Sequence, residues 1–344
     1  MYEKSLRNRV CRAAAALSMP SQNGVVKPNA LRHSSWLFLP RLTMRNQALR
    51  ADLLMLITAL IWGSAFVAQR VGMDSIGPYL FSGLRFALGF LVLLPVVYLL
   101  GRGGKQQPLN RGLLVGGGIM GVVLALGINL QQVGLLFTSV TNAGFITGLY
   151  VIVVPLIGLF IGHKTGLGTW LGASLAVVGM FLLSVGEGFH VASGDWLQLA
   201  GAFVWGSHVL LVGYFASRYD PIRLATIQFG VCAAISLGLA ACLEDIHLAS
   251  VVVAGPSIIY GGLVSVGIAY TLQVIAQKHA IASHAAIIFS LEAVFAAVAG
   301  AVFLDESLHL RGYIGCALMF AGMLVAQLWP TKVVAEEVAQ AKVA

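Results

Sequence analysis

Two ionisable side chains lie inside long apolar stretches of the chain, Glu292 within 281–303 and Arg85 within 79–100. In a stretch that crosses a bilayer, a central charge costs about 2.5 to 3.5 kcal/mol, so each side chain needs a compensating partner. A buried carboxyl can hold a proton or a substrate amine, or it can tie two helices together. A guanidinium can receive a substrate carboxylate or pair with Glu292. The sequence leaves these alternatives open.

Further polar candidates recur at matching positions in the two halves of the sequence. The spacing that separates Tyr150 from Glu292 also separates Asn142 from His284, and Gln131 from Gln273. Asn142 and Tyr150 share one helix face in the first half, and the same holds for their counterparts in the second. A single buried Asn or Gln can be an interhelical hydrogen bond worth about 0.6 kcal/mol. Polar groups at related positions in both halves favour one shared cavity on a pseudo-two-fold axis.

Two tryptophans and a histidine complete the candidate set. Trp62 and Trp205 stand at equivalent positions of the two halves, and His208 follows Trp205 on the same helix face. Deep tryptophans either pack in a bundle core or form a cavity wall that contacts substrate. A buried histidine either donates a hydrogen bond or titrates during a cycle. The sequence does not decide between these roles.

These residues are positioned by apolar stretches long enough to cross a bilayer. Hydrophobic residues make up 58% of the chain, charged residues 10%, and the mean hydropathy is +0.89, which excludes an ordinary soluble domain. The stretches are continuous rather than alternating, so a β-barrel is not expected. We predict an all-α polytopic membrane protein with ten transmembrane helices. The predicted helices cover 53–70, 79–100, 112–133, 141–161, 167–185, 196–216, 224–243, 256–276, 281–303 and 312–329.

The sequence contains an internal repeat. Asp52, Trp62-Gly63-Ser64 and Gly77-Pro78 reappear at one constant spacing as Asp195, Trp205-Gly206-Ser207 and Asp220-Pro221. We assign residues 44–186 to a first five-helix repeat and 194–329 to a second. Because five crossings is an odd number, the second repeat enters the membrane upside down relative to the first. Inverted repeats of this kind are chiefly a transporter architecture.

Basic residues set the expected orientation in the membrane. Lysines and arginines near the helix ends collect on the side of the N-terminus, and only Arg70 and Arg311 fall on the opposite side. The positive-inside rule then places both termini in the cytoplasm and the protein in the inner (plasma) membrane. The net charge of +8 is explained by cations facing anionic headgroups, so lipid is an expected partner and nucleic acid is not. The sequence leaves open whether the protein forms a homodimer.

Two segments lie outside the repeats. Residues 1–43 hold five arginines, a single acid and no sustained apolar run. They read as a disordered basic extension, as a transit peptide, or as an artefact of an upstream start codon, with Met44 opening the protein just before the first helix. Residues 330–344 are expected to form a cytoplasmic tail.

Neither a cofactor nor a metal ion is expected. Gly116, Gly118 and Gly121 satisfy G-x-G-x-x-G, but the pattern lies inside the third apolar stretch with no preceding strand. We interpret Gly112-xxx-Gly116 and Gly117-xxx-Gly121 in the same stretch as helix-packing stripes. The four cysteines show no C-x-x-C spacing. The P-loop pattern of ATP-driven proteins is also absent from the sequence.

Several motifs together carry a family resemblance. They are Trp62-Gly63-Ser64, Pro78 followed by Leu84-Arg85-Phe86, Ala143-Gly144-Phe145-Ile146, and Ala285-Ala286-Ile287-Ile288-Phe289-Ser290-Leu291-Glu292 ending in Leu304-Asp305-Glu306. With them, residues 48–329 resemble the EamA-type branch of the drug/metabolite transporter superfamily. Ala293 departs from the proline usual in this family, so a helix break there does not carry over. His163-Lys164 departs from the acidic pair that the second half keeps.

The resemblance implies a ten-helix inner-membrane carrier of small metabolites, often amino acids or related compounds, and commonly an exporter. We therefore predict a secondary transporter whose two halves rock about a midplane cavity, with Glu292 as the proton acceptor. The identity of the substrate does not follow from the family. The alternative, a polytopic membrane enzyme, would lack any H-E-x-x-H or G-x-S-x-G motif. A third alternative is a sensor or scaffold that transports nothing.

Overall fold

In a computed structural model of the protein, the described residues are 38–102, 109–163, 165–184, 192–304 and 310–329. Predictions that fall on 1–37, Lys164, Asp305-Glu306 and the tail 330–344 lie outside them. In chain order the helices are α1 Phe38–Gly72, α2 Pro78–Arg102, α3 Arg111–Leu135, α4 Val140–Gly148, α5 Tyr150–Phe160, α6 Leu167–Ser184, α7 Ser193–Ala216, α8 Pro221–Leu243, α9 Leu248–Val253, α10 Gly255–Ile259, a π-helix Tyr260–Tyr270, α11 Thr271–Gln277, α12 Ala282–Phe289, α13 Glu292–Phe303 and α14 Leu310–Leu328.

The helices are long and apolar enough to cross a membrane. Within the described ranges, nine helical stretches meet that criterion, and a tenth, shorter apolar helix covers Leu167–Leu183. Each of the ten stretches predicted from the sequence corresponds to one of these. The prediction of an all-α polytopic membrane protein is confirmed, and the chain is a multi-pass membrane protein.

Equivalent helices of the two repeats pack against each other. The pair α6 and α14, and the pair α2 and α8, make extensive contacts. In the first pair, a Cβ on Gly172 would lie 2.6 Å from the carbonyl oxygen of Gly322, and one on Gly179 would lie 2.5 Å from that of Gly315. Gly315 and Gly322 are the repeat counterparts of Gly172 and Gly179, so the two contacts are related by the repeat. Small residues thus allow these backbones to touch.

Two of the membrane-crossing stretches are interrupted near their middle. The fourth is divided at Leu149 between α4 and α5, and the ninth at Ser290-Leu291 between α12 and α13. The N–H of Leu149 donates to Ile146 O at 3.2 Å, and that of Leu291 donates to Ile288 O at 3.2 Å, so each break is a tightened turn with i→i+3 bonding. Leu149 and Leu291 are themselves repeat counterparts. The breaks therefore occupy equivalent positions and bring two helix starts to the middle of the bundle.

The eighth membrane-crossing stretch has an unusual backbone. Residues Tyr260–Tyr270 form a π-helix, a rare conformation that is frequently found at functional sites. Its Gly261 packs against Arg85 of α2, where a Cβ would meet the arginine Cδ at 3.2 Å. Its last residue, Tyr270, is buried at the centre of the molecule. The π-helix thus lies directly beside the buried guanidinium of Arg85.

Candidate functional site

One cavity lies between the two repeats, near the level of the two helix breaks. It contains about 450 Å³ of space not occupied by atoms, including its open part. Its walls combine aromatic, amide and charged side chains, as small-molecule sites do. The lining residues are Trp62, Phe66, Gln69, Arg85, Ile128, Gln131, Thr147, Tyr150, Trp205, Val209, Ser265, Tyr270, Gln273 and Glu292.

Most of the lining comes in repeat-related pairs. Five pairs of lining residues are repeat counterparts: Trp62 with Trp205, Phe66 with Val209, Ile128 with Tyr270, Gln131 with Gln273, and Tyr150 with Glu292. A cavity on a pseudo-two-fold axis would meet equivalent positions of both halves in this way. Arg85, Gln69, Thr147 and Ser265 have no lining counterpart, and they give the cavity its asymmetry.

The repeat-related residues Tyr150 and Glu292 bond to each other. Tyr150 is the first residue of α5 and Glu292 the first of α13, so each stands at the start of a half-helix. The phenol of Tyr150 donates a hydrogen bond to Glu292 Oε1 at 3.1 Å, and both side chains are buried. Helix starts favour negative charge, which suits a carboxylate at this place. The breaks therefore supply both the position and the local field of the acidic group.

Arg85 lies 1% exposed in the same cavity. One of its terminal nitrogens donates to Gln69 Oε1 at 3.4 Å and to Gln132 Oε1 at 3.3 Å. Its guanidinium carbon lies 5.5 Å from the ring centre of Phe81 and 5.3 Å from that of Phe86. Amide oxygens and aromatic faces stabilise the cation without neutralising it. Among the described residues, Arg85 and Glu292 have different partners and do not pair with each other.

Several lining atoms are buried without a hydrogen-bond partner among the described residues. Three are donors, namely Arg85 Nε and the indole nitrogens of Trp62 and Trp205, and one is an acceptor, Gln273 Oε1. The Trp62 ring lies 4.5 Å from that of Tyr270, centre to centre, and the Trp205 ring lies 6.3 Å from it. These unpartnered atoms belong to residues that line the same cavity, and burying them without partners costs free energy.

Seven of the ten residues singled out from the sequence line this cavity: Glu292, Arg85, Tyr150, Trp62, Trp205, Gln131 and Gln273. Three do not. Asn142 is half-buried in the first turn of α4, where its N–H donates to the N-cap Ser139. His284 is half-buried beside Gln327 of α14. His208 lies behind Trp205, and its Nε2 is 3.0 Å from Gln228 Oε1.

Sequence reasoning missed the other seven lining residues, namely Gln69, Ile128, Thr147, Val209, Ser265, Tyr270 and Phe66. Tyr270 and Phe66 show why. Their repeat counterparts are Ile128 and Val209, so the relevant signal was the repeat spacing rather than polarity. Polar and tryptophan pairs stand out in the sequence, whereas apolar and mixed pairs do not. Phe66 and Tyr270 are related to lining residues by the same repeat spacings that relate Trp62 to Trp205 and Gln131 to Gln273.

Comparison with known proteins agrees with this architecture. The EamA-like transporter family matches the chain twice, over residues 49–185 and 192–327. An "Uncharacterized transporter" of Archaeoglobus fulgidus is 30% identical, over 81% of this chain and 86% of its own length. A "Probable amino-acid metabolite efflux pump" of Escherichia coli is 32% identical, over 44% of this chain and 50% of its own. The "Uncharacterized inner membrane transporter YedA" of Escherichia coli is 28% identical, over 49% of this chain and 57% of its own length.

The fold is shared with a solved crystal structure. It aligns with a TM-score of 0.66 at 21% sequence identity and covers 81% of this chain and 96% of that chain. The two family matches together span most of the sequence. The protein is a membrane transporter that belongs to the EamA-like transporter family.

Proposed function

We propose that this transporter is a secondary active carrier that exports amino acids or related compounds across the inner membrane by alternating access. The observation that carries the proposal is the separation of Arg85 and Glu292, which are buried in one cavity with different partners. A salt bridge between them would leave no charge for a ligand. As they stand, the guanidinium offers a site for a carboxylate and the carboxyl offers a site for an amine.

The unpartnered polar atoms support the same substrate class. Arg85 Nε, Trp62 Nε1 and Trp205 Nε1 are three donors that a carboxylate can satisfy, and Gln273 Oε1 is an acceptor suited to an ammonium group. A site built to hydrogen-bond a ligand rejects compounds that lack the matching groups. Aromatic rings around Tyr270 provide apolar surface for the rest of the molecule.

Two relatives support both the substrate class and the direction. Proteins of Escherichia coli and Salmonella typhimurium named "Probable amino-acid metabolite efflux pump" are 32% and 31% identical to this chain, each over 44% of it. We extend export of amino-acid metabolites to this chain on that basis, together with the cavity's charges. Relatives named as inner membrane transporters support the assignment to that membrane.

The arrangement of the repeats supports alternating access. We assign residues 44–186 and 194–329 to inverted halves that rock about the cavity, with both termini in the cytoplasm. The broken helices at Leu149 and Leu291 support this mechanism, because discontinuous helices form the midplane sites of many transporters. Glu292 is the proposed proton carrier, and Tyr150 is its hydrogen-bond partner.

The test compares metabolites outside cells that express the wild type, Glu292→Gln or an empty vector, at matched membrane levels. Gln keeps the size of Glu but can carry neither a proton nor a charge. We expect one class of amino compounds to accumulate outside with the wild type only. Asp74→Asn is the matched control, because it removes an exposed carboxylate outside the cavity, and it should export like the wild type.

Two results would contradict the proposal. Undiminished export by Glu292→Gln removes Glu292 from the mechanism. If all cultures match the empty vector, export of endogenous amino compounds is ruled out. Uptake of the same compounds into inverted and right-side-out vesicles would then measure the direction of transport.

A further inference from the structure

Gln198 joins two cavity-lining residues that belong to the other repeat. Its Nε2 donates to the backbone oxygen of Gln131 at 2.9 Å, and its Oε1 accepts from Thr147 Oγ1 at 3.2 Å. Gln131 and Thr147 line the cavity from the first repeat, whereas Gln198 lies in α7 of the second. The side chain is 0% exposed, so both bonds are shielded from bulk solvent. One amide therefore holds the two repeats together at the cavity wall.

The same end of the cavity carries a second polar contact between the repeats. Thr138 Oγ1 donates to Asp195 Oδ1 at 2.6 Å, and Asp195 Oδ2 accepts from the N–H of Ala192 at 2.9 Å. The backbones also meet here, because a Cβ on Gly194 would collide with the carbonyl oxygen of Gly134. The end formed by residues 136–139 and the start of α7 is thus closed by directional hydrogen bonds and by tight backbone contact.

The repeat-related end is built differently. The equivalent positions are Met55 for Gln198, Phe289 for Thr147, and Ala280 for Thr138, whereas Asp195 has an acid, Asp52, as its counterpart. Met55 and Phe289 are both 0% exposed and belong to one apolar cluster. A polar contact between the repeats there runs from Thr58 Oγ1 to Ala269 O at 3.3 Å, and the same hydroxyl also lies 2.9 Å from Leu54 O within its own helix. Apolar packing therefore dominates this end.

We propose that Gln198 is a positioning residue for transport, which holds the cavity shut at the end formed by residues 136–139 and the start of α7. The proposal rests on the alternating access proposed above. Opening that end breaks both bonds of Gln198 in one movement, because a single amide makes them. Opening the other end separates mainly apolar surfaces and, among the described residues, breaks the longer bond from Thr58 to Ala269 O. The resting transporter thus favours the state closed at the Gln198 end, which the basic residues assign to the outside.

Site-directed labelling tests this without any knowledge of the substrate. In a background without cysteines, Ser265→Cys places a near-isosteric thiol on the cavity wall. A membrane-impermeant maleimide is applied to intact cells and to inside-out vesicles, and Ser139→Cys, at an exposed position, marks the side on which the Gln198 end lies. Gln198→Met keeps the side chain's length and copies its counterpart Met55.

We expect Gln198→Met to raise the ratio of labelling from the Gln198 side to labelling from the opposite side by about tenfold, equivalent to about 1.4 kcal/mol. That size fits the net loss of one or two buried hydrogen bonds. Gln228→Met is the matched control, since Gln228 is also 0% exposed but bonds to His208 within its own repeat. The control should keep the wild-type ratio.

Equal labelling ratios in Gln198→Met and Gln228→Met overturn the proposal, and so does an absence of labelling from either side in both variants. A shift of labelling toward the side opposite Gln198 also overturns it. The outcome is independent of the metabolite experiment. A shifted ratio without export would retain Gln198 as the closing residue and remove the proposed substrate class. Export without a shifted labelling ratio would retain the proposed substrate class and remove Gln198 as the closing residue.

Discussion

Arg85 is a buried cation whose guanidinium is only partly used by the protein. Its long bonds to Gln69 and Gln132, at 3.4 and 3.3 Å, share one nitrogen, and Nε has no partner among the described residues. A planar guanidinium can hold a carboxylate through two parallel bonds, which a lysine ammonium cannot do. Under the proposed function, Arg85 is therefore the residue that we expect to distinguish acids from amines.

Arg85→Lys should weaken binding of the exported acid about tenfold, because the charge stays but bidentate recognition is lost. The measurement is the half-saturation concentration for counterflow in membrane vesicles, using the compound identified by the metabolite comparison. The decarboxylated amine of that compound should be affected less. Arg218→Lys is the control, because this exposed arginine stacks 3.7 Å over Tyr214 away from the cavity. Equal weakening of acid and amine would show that Arg85 does not bind the carboxylate.

The sequence predicted these polar residues better than their partners. Glu292 and Arg85 stood out because charges are rare inside apolar stretches, and Tyr150 was found through the repeat. Their separation depends on which side chains reach them in three dimensions, namely Tyr150 on one side and Gln69 and Gln132 on the other. No spacing in the sequence encodes that choice. His208 shows the same limit, because its position beside Trp205 gave no sign that its ring turns toward Gln228.

At the scale of helices, the break before Glu292 is the feature that the sequence did not predict. Ala293 lacks the proline usual in the family, yet α12 ends at Phe289 and α13 begins at Glu292. The Ala293 N–H donates to Ser290 O at 3.1 Å, and the Ser290 hydroxyl donates to Ile287 O at 2.8 Å. The tightened turn is thus held by i→i+3 bonds rather than by a missing donor. The Ser290 hydroxyl bonds to a carbonyl of the preceding turn, an interaction that often bends helices, but no proline marks the position in the sequence.

Gly63 fixes the distance between α1 and the start of α13. A Cβ built on it would lie 2.6 Å from Glu292 O and 2.7 Å from Ala296 N, which are backbone atoms with no rotamer to change. Gly63→Ala should therefore push α13 outward and destabilise the protein by about 1 to 3 kcal/mol. We expect a lower thermal unfolding midpoint in detergent and weaker export, since Glu292 moves with its helix.

Gly118→Ala is the matched control for Gly63→Ala. Gly118 also lies in a membrane-crossing helix, but a Cβ there would have no atom within 4 Å. Alanine stabilises an open helical position by about 0.5 to 1 kcal/mol relative to glycine, so the unfolding midpoint should hold or rise. Similar midpoints in the two variants would show that α13 yields to the extra methyl group.

For the molecule as a whole, the repeat explains features that are far apart in the chain. The repeat relates the two glycine contacts between α6 and α14 to each other, and it likewise relates the two helix breaks and the members of five pairs of cavity residues. One pseudo-two-fold axis accounts for them together. The repeat was readable from Trp62-Gly63-Ser64 and its copy, so most of the fold was predictable. The roles of Arg85 and Gln198 were not predictable from the repeat, because these residues differ from their counterparts in the other half.

Inverted halves make a prediction about sidedness that no single loop can test. Asp74, between α1 and α2, and Ser217, between α7 and α8, are exposed at equivalent turns. If five crossings separate them, Asp74→Cys should react with an impermeant maleimide in intact cells, whereas Ser217→Cys should react only in inside-out vesicles. The positive-inside rule gives the same assignment, since Arg218 lies next to Ser217. Labelling of both from one side would mean parallel rather than inverted halves, and would move the axis away from the cavity.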